Sequence, residues 1–312
     1  MQDMATRDAY GKALVELGKI NKDIVVLDAD LSKSTKTADF KAVFPERFFN
    51  IGIAEQNLMG CAAGFAAAGK LPFASTFAIF AAGRAYDQIR NSIAYPSLNV
   101  KIAATHAGLT VGEDGGSHQM IEDIALMRAI PGMTVIVPAD GEETRQAVIA
   151  AAEMQGPVYL RLGRSKVKGL FDEKYRFQIG KAVVLREGTD FSFIATGIMV
   201  EKALAAAEIL AEKGYSARVI NISTIKPLDK ETIIKAAKET GKIVVCEEHN
   251  ICGGLGSAVA ETIVENYPVP CKLIGVNDVF GRSGQPEELL EAYGLGTQNI
   301  VQTTENFLRA VN

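Results

Sequence analysis

A carboxylate opening an apolar helix is the first side chain in this sequence that could do chemistry. Glu55 closes the run Phe49-Asn50-Ile51-Gly52-Ile53-Ala54 and begins an Ala/Gly-rich helical stretch. Alone, it would only complement the positive helix end, worth roughly a few tenths of a kcal/mol. Its company changes that reading: Ser75-Thr76-Phe77-Ala78-Ile79-Phe80, then Thr105-His106, then Gly112-Glu113-Asp114-Gly115-Gly116-Ser117-His118-Gln119. The sequence has 3 histidines, and His106 and His118 fall in these runs while His249 does not. Imidazole can hydrogen-bond a hydroxyl and move protons near neutral pH. Phe77 and Phe80 are spaced to share one face of a turn and present flat apolar surface, although burial statistics alone would make them core. Asp114 before two glycines is strong turn chemistry. Arg161 and Arg164, in Tyr159-Leu160-Arg161-Leu162-Gly163-Arg164, carry the paired donors that suit a phosphate.

The elements that must position these groups are apolar, β-branched runs alternating with helical stretches. Strands are expected at Ile24–Leu27, Val100–Ala103, Met133–Val137 and Val158–Leu160, with Pro72-Phe73-Ala74-Ser75 as a strand-to-helix junction. This alternation predicts an α/β fold with a parallel sheet covered by helices on both faces. Residues 1–165 form the first expected domain. The polar, irregular stretch 166–180 reads as a linker. A second α/β domain is expected over 181–312, with strands at Phe191–Ala195, Ala217–Ile222, Ile243–Cys246 and Lys272–Val276 and helices at Glu201–Lys213 and Lys230–Lys238. Gly253-Gly254-Leu255-Gly256-Ser257 imitates a phosphate loop, but a lone glycine cluster is weak evidence and is read, with Glu247 and Glu248, as packing.

Length and composition agree with two ordinary domains: 312 residues, 48% hydrophobic and 22% charged, with a net charge of −4. There is no basic stripe for nucleic acid and no apolar run long enough to span a bilayer. The start Met1-Gln2-Asp3-Met4 reads as neither a signal nor a transit peptide, so a cytoplasmic protein is expected. The 4 cysteines, Cys61, Cys246, Cys252 and Cys271, have no short paired spacing for zinc or disulfides.

Asp28-Ala29-Asp30-Leu31-Ser32, Gly52-Ile53-Ala54-Glu55-Gln56, Arg84-Ala85-Tyr86-Asp87-Gln88 and the Asp114–Gln119 run occur in register. With these motifs the chain resembles the carboxyl-terminal section of the transketolase family, comprising a pyrimidine-binding and a C-terminal domain. The resemblance implies a thiamine-diphosphate enzyme that transfers a two-carbon ketol unit from a ketose phosphate to an aldose phosphate. It assigns Glu55 to the cofactor's pyrimidine N1′, Phe77 and Phe80 to the ring's wall, and Asp30 to the cofactor site. His106 and His118 would face the reacting carbons, and Asp114 a sugar hydroxyl. Arg164, with Arg161 in reserve, would contact substrate phosphate, as would Arg7 and Ser34. Gly83 stands where some members carry a further aromatic.

The family also places the cofactor's diphosphate and Mg²⁺ on a Gly-Asp-Gly segment followed by an Asn pair. Neither occurs in this sequence. The expectation is therefore a split enzyme: an N-terminal transketolase subunit would hold Mg²⁺ and the diphosphate, and two such pairs would form a heterotetramer. The Ala/Gly-rich stretch Ile53–Gly69 could pack on that partner or within its own domain. Alternatives within the superfamily are the β subunit of a 2-oxo-acid dehydrogenase E1 component and a deoxyxylulose-phosphate synthase. Outside it stands a non-catalytic regulatory or assembly subunit.

Overall fold

The computed structural model describes residues 2–311, so Met1 and Asn312, the end residues of the two expected domains, lie outside the described residues. The molecule is α/β throughout. Its first sheet has seven strands in the order Thr224–Lys226, Thr134–Ile136, Val158–Arg161, Lys101–Thr105, Leu71–Phe77, Ile24–Asp28 and Phe48–Asn50. Six of the seven are parallel neighbours, and Thr224–Lys226 joins antiparallel at the edge.

The central strands are buried along their whole length, the pattern of a parallel sheet covered on both faces. Period-two alternation sends Ile24 and Val26 to one face and Val25 and Leu27 to the other. Helices Thr6–Ile20 and Gly141–Glu153 cover the first face through Tyr10, Leu14, Leu17, Ala147 and Val148. Helix Glu55–Ala67 covers the second through Leu58, Met59 and Ala62, while Gly60 and Gly64 face outward with nothing among the described residues within 4 Å of a would-be Cβ.

The second sheet has five strands in the order Cys271–Val276, Ile243–Asn250, Phe191–Ala195, Ala217–Asn221 and Val183–Arg186. Only Val183–Arg186 is antiparallel, and it was not anticipated because its half-exposed residues lack a continuous apolar run. The core is continuous between the sheets: Ile194, Ile220 and Val245 belong to the cluster that also holds Leu27 and Ile102. Within 166–180, Lys166–Val167 pairs with Met4–Ala5. The same segment is tied down where Leu170 and Phe171 N–H donate to Asp140 (2.7 and 2.8 Å) and Tyr175 Oη donates to Glu143 (2.7 Å).

Candidate active site

The candidate residues leave the sheet at one edge, beyond the carboxyl ends of its parallel strands, where open α/β sheets commonly bind ligands. Asp30 and Ser34 follow Ile24–Asp28, Glu55 follows Phe48–Asn50, and Phe80 follows Leu71–Phe77. His106 follows Lys101–Thr105, and Arg164 follows Val158–Arg161.

Glu55 is the first residue of its helix and only 2% exposed. Its Oε2 accepts a hydrogen bond from Arg84 Nη1 at 2.8 Å, and the Arg84 side chain is 49% exposed. Arg84 ends a wide π-helical turn, Ile79–Arg84, in which the following N–H of Ala85 reaches back to Phe80 O (3.2 Å). Such turns recur at functional sites. The turn lays the Arg84 guanidinium over the Phe80 ring, 4.5 Å from its centroid. Phe80 stacks with Phe77 at 5.8 Å, and Phe77 stacks with the His106 ring at 3.8 Å. His118 meets the edges of Phe80 (5.5 Å) and Phe77 (6.5 Å). The carboxylate, both aromatics and both histidines thus form one wall.

His106 has a left-handed backbone (φ 56°), a strained conformation for a non-glycine residue. Its Nε2 is 2.9 Å from Arg7 Nη1 and its Nδ1 is 2.9 Å from Thr105 Oγ1. Arginine can only donate, so Nε2 accepts, and the ring proton resides on Nδ1. Burial, with Arg7, Arg164 and His118 nearby, pushes the imidazole down to about 3, so it is uncharged at neutral pH. Arg7 also donates to the backbone carbonyl of Ser34 (3.2 Å), which makes the Ser34 contact a main-chain one.

Asp30, also left-handed (φ 64°), pairs with Asn50 through Nδ2 to Oδ1 at 2.7 Å. The turn that carries Asp30 and Ser34 is braced by buried Asp28, which accepts from Leu31 N–H and Thr35 Oγ1 (both 2.6 Å) and from Thr37 Oγ1 (2.9 Å). Burial raises the Asp28 carboxyl above the usual range.

Asp114 lies on the turn Leu109–Asp114, flanked by glycines with positive φ at 108, 112 and 115. That turn is held from behind by the second domain. Glu248 Oε1 accepts from Thr110 N–H at 2.6 Å, and Gln119 Nε2 donates to the carbonyls of Leu109 (3.1 Å), Gly112 (3.2 Å) and Arg282 (2.9 Å). Arg164 bonds the Val111 carbonyl and reaches Glu113 at 3.2 Å and Asp114 at 3.9 Å.

Arg161 corrects an expectation. It is 6% exposed, its Nε pairs with Asp123 at 2.9 Å, and its Nη2 donates to the carbonyls of Met120 (3.2 Å) and Glu248 (3.0 Å). It lies on a strand whose every residue is buried, and its guanidinium is committed to joining the domains. Arg84 falls within the motif Arg84-Ala85-Tyr86-Asp87-Gln88, yet nothing local marks its role, because its contact with Glu55 spans 29 positions. Glu248 likewise reaches Thr110 across 138 positions, and no local pattern announces either contact.

These groups fit an aminopyrimidine: a buried carboxyl able to share a proton with a ring nitrogen, flat aromatic faces, and an uncharged imidazole beside them. The transketolase pyrimidine binding domain matches residues 2–169, and the transketolase C-terminal domain matches residues 180–300. A protein of Methanocaldococcus jannaschii, provisionally named a transketolase C-terminal section, is 55% identical over 95% of this chain and 94% of its own. A 6-deoxy-6-sulfo-D-fructose transketolase subunit of Clostridium sp. (strain MSTE9) is 43% identical over 98% of this chain and 95% of its own. A solved split-gene transketolase, described as an inactive beta4 tetramer, superposes with a TM-score of 0.91 at 56% identity, covering 100% of both chains. By its matched domains, its relatives and its fold, the chain belongs to the transketolase family.

Proposed function

We propose that this chain is the pyrimidine-binding subunit of a two-subunit, thiamine-diphosphate-dependent transketolase acting on sugar phosphates. The observation that carries this reading is Glu55, buried at the head of its helix and opening onto the Phe77–Phe80–His106–His118 wall. When bound, thiamine diphosphate supplies the electron sink for breaking and making a carbon–carbon bond. Glu55 would hold the pyrimidine through N1′, and Phe77 and Phe80 would seat the ring and exclude water.

His106, neutral with its proton on Nδ1, acts as a hydrogen-bonding wall and not as a resident acid. His118, half-buried on its loop, is the better-placed imidazole to exchange a proton with a substrate hydroxyl. Asp114 would accept from a sugar hydroxyl. Arg7 and Arg164, whose charges both bear on His106, would hold the anionic end of the substrate. A relative named for a sulfonate-bearing ketose supports an anion there without fixing which one.

The diphosphate and Mg²⁺ are assigned to a companion subunit, since this sequence lacks Gly-Asp-Gly and paired Asn. Relatives named as subunits, and a split-gene relative described as inactive in a beta4 form, support a heteromer as the active species. The test is to recover the tagged chain from its host, identify any stoichiometric companion by mass, and assay for bound thiamine diphosphate. A companion carrying Gly-Asp-Gly and paired Asn, with ketol transfer abolished in an intact Glu55→Gln complex, is the expected result. An active Glu55→Gln complex would remove the assignment.

A further inference from the structure

We infer that Arg84 competes with the cofactor's pyrimidine for Glu55 and the Phe80 face and must be displaced for the cofactor to bind. This inference rests on the reading of the site given under Proposed function. An aminopyrimidine needs two things here: a planar face against the aromatic wall and an N–H or ring nitrogen hydrogen-bonded to Glu55. The Arg84 guanidinium already makes both contacts, lying 4.5 Å from the Phe80 centroid and 2.8 Å from Glu55 Oε2. A guanidinium is itself a planar, delocalised nitrogen group that stacks on aromatic rings and donates in its own plane.

Both contacts reach one guanidinium because Phe80 and Arg84 are four positions apart on the helical turn Ile79–Arg84, a spacing that puts the two side chains on one face beside Glu55. The arrangement is also built to come apart. Glu55 is 2% exposed and fixed by its helix, whereas the Arg84 side chain is 49% exposed and can swing into solvent. The ion pair keeps a buried carboxylate from standing alone before the cofactor arrives, which would otherwise be costly. A half-exposed pair is also weak enough to yield to a better-fitting ring.

The experiment measures thiamine diphosphate binding to the complex recovered with its companion. Titration calorimetry would be run on the unsubstituted protein and on Arg84→Met and Arg84→Lys, with the cofactor-induced rise in Tm as a second readout. Arg84→Met keeps side-chain length but removes stacking and donation, and it should bind about three- to thirtyfold tighter, the size of one half-exposed ion pair plus one exposed cation–π contact. Its cofactor-free Tm should fall and its Tm rise on cofactor addition should be larger than that of the unsubstituted protein. Arg84→Lys, which keeps the ion pair without the planar stack, should lie between. If both variants bind the cofactor as tightly as or more weakly than the unsubstituted complex, Arg84 is a support for Glu55 and the placeholder idea is overturned. If the unsubstituted complex itself binds no cofactor, the proposed function fails first and takes this inference with it.

Discussion

Replacing Gly108 by alanine tests how the second domain holds the Asp114 turn. Gly108 has φ 83° and ψ −173°, a region essentially reserved for glycine. That strain alone costs about 1–3 kcal/mol. A Cβ there would also stand 2.5 Å from Glu248 Oε1 and overlap the rest of that carboxylate. Glu248 cannot retreat without releasing Thr110 N–H, leaving a buried donor and a buried acceptor unpaired, for a further 1–3 kcal/mol or about that. The sum, about 2–6 kcal/mol, is a large part of the roughly 5–15 kcal/mol that holds a domain folded. Urea unfolding of Gly108→Ala should show a midpoint well below that of the unsubstituted chain. Gly132→Ala is the control: it shares a positive φ (74°) but has nothing among the described residues within 4 Å of the new Cβ. Equal destabilisation by the two substitutions would refute the argument that Glu248 clamps this turn.

His106 should show an Nδ1–H tautomer by NMR and no titration between pH 8 and pH 5; a midpoint near 6.5 would contradict its burial against Arg7. Because its folded value lies near 3, below the ordinary 6.5, the unfolded chain takes up the proton first, so this residue lowers stability as pH falls from about 6.5 toward 3. Glu247, raised to about 7 by burial, acts in the opposite sense: its contribution is complete below the ordinary carboxylate value of 4.5 and is lost as pH rises through 7. Glu247→Gln should therefore steepen the acid-side decline in Tm. Asp123→Asn, which strands the buried Arg161 guanidinium, should destabilise by about 3–5 kcal/mol in urea unfolding, and a loss under 1 kcal/mol or so would show that the pair is dispensable. Gly60→Ala and Gly64→Ala should each stabilise the isolated chain by about 0.5–1 kcal/mol, since helix interiors favour alanine and the space is open. Weaker association with a companion in the same variants would assign that face to the partner; unchanged association would return it to solvent.

The α/β class was legible because buried parallel strands leave long apolar runs, and Phe191–Ala195 reads the same in sequence and structure. Glu55 at the start of its helix was legible from the change of pattern at Ala54. What escaped was non-local. An arginine in an exposed tail and Arg161 on a buried strand look alike as letters, and only Asp123 and the carbonyls of Met120 and Glu248 decide between them. The wide turn at Ile79–Arg84 has no distinct residue signature, so the contact between Arg84 and Glu55 could not be foreseen. Thr224–Lys226 was missed because its pairing partner, Thr134–Ile136, lies in the other domain.

That crossing strand makes the two domains poor candidates for separation. Cutting the chain in the 166–180 region would leave Thr134–Ile136 as an uncovered sheet border with unpaired N–H and C=O groups, next to the apolar surface left by Ile194, Ile220 and Ile225. Such a border templates pairing between copies. The amino-terminal fragment should therefore self-associate or precipitate, and a proteolytic nick near Asp172 should leave both pieces bound together until denaturant is added.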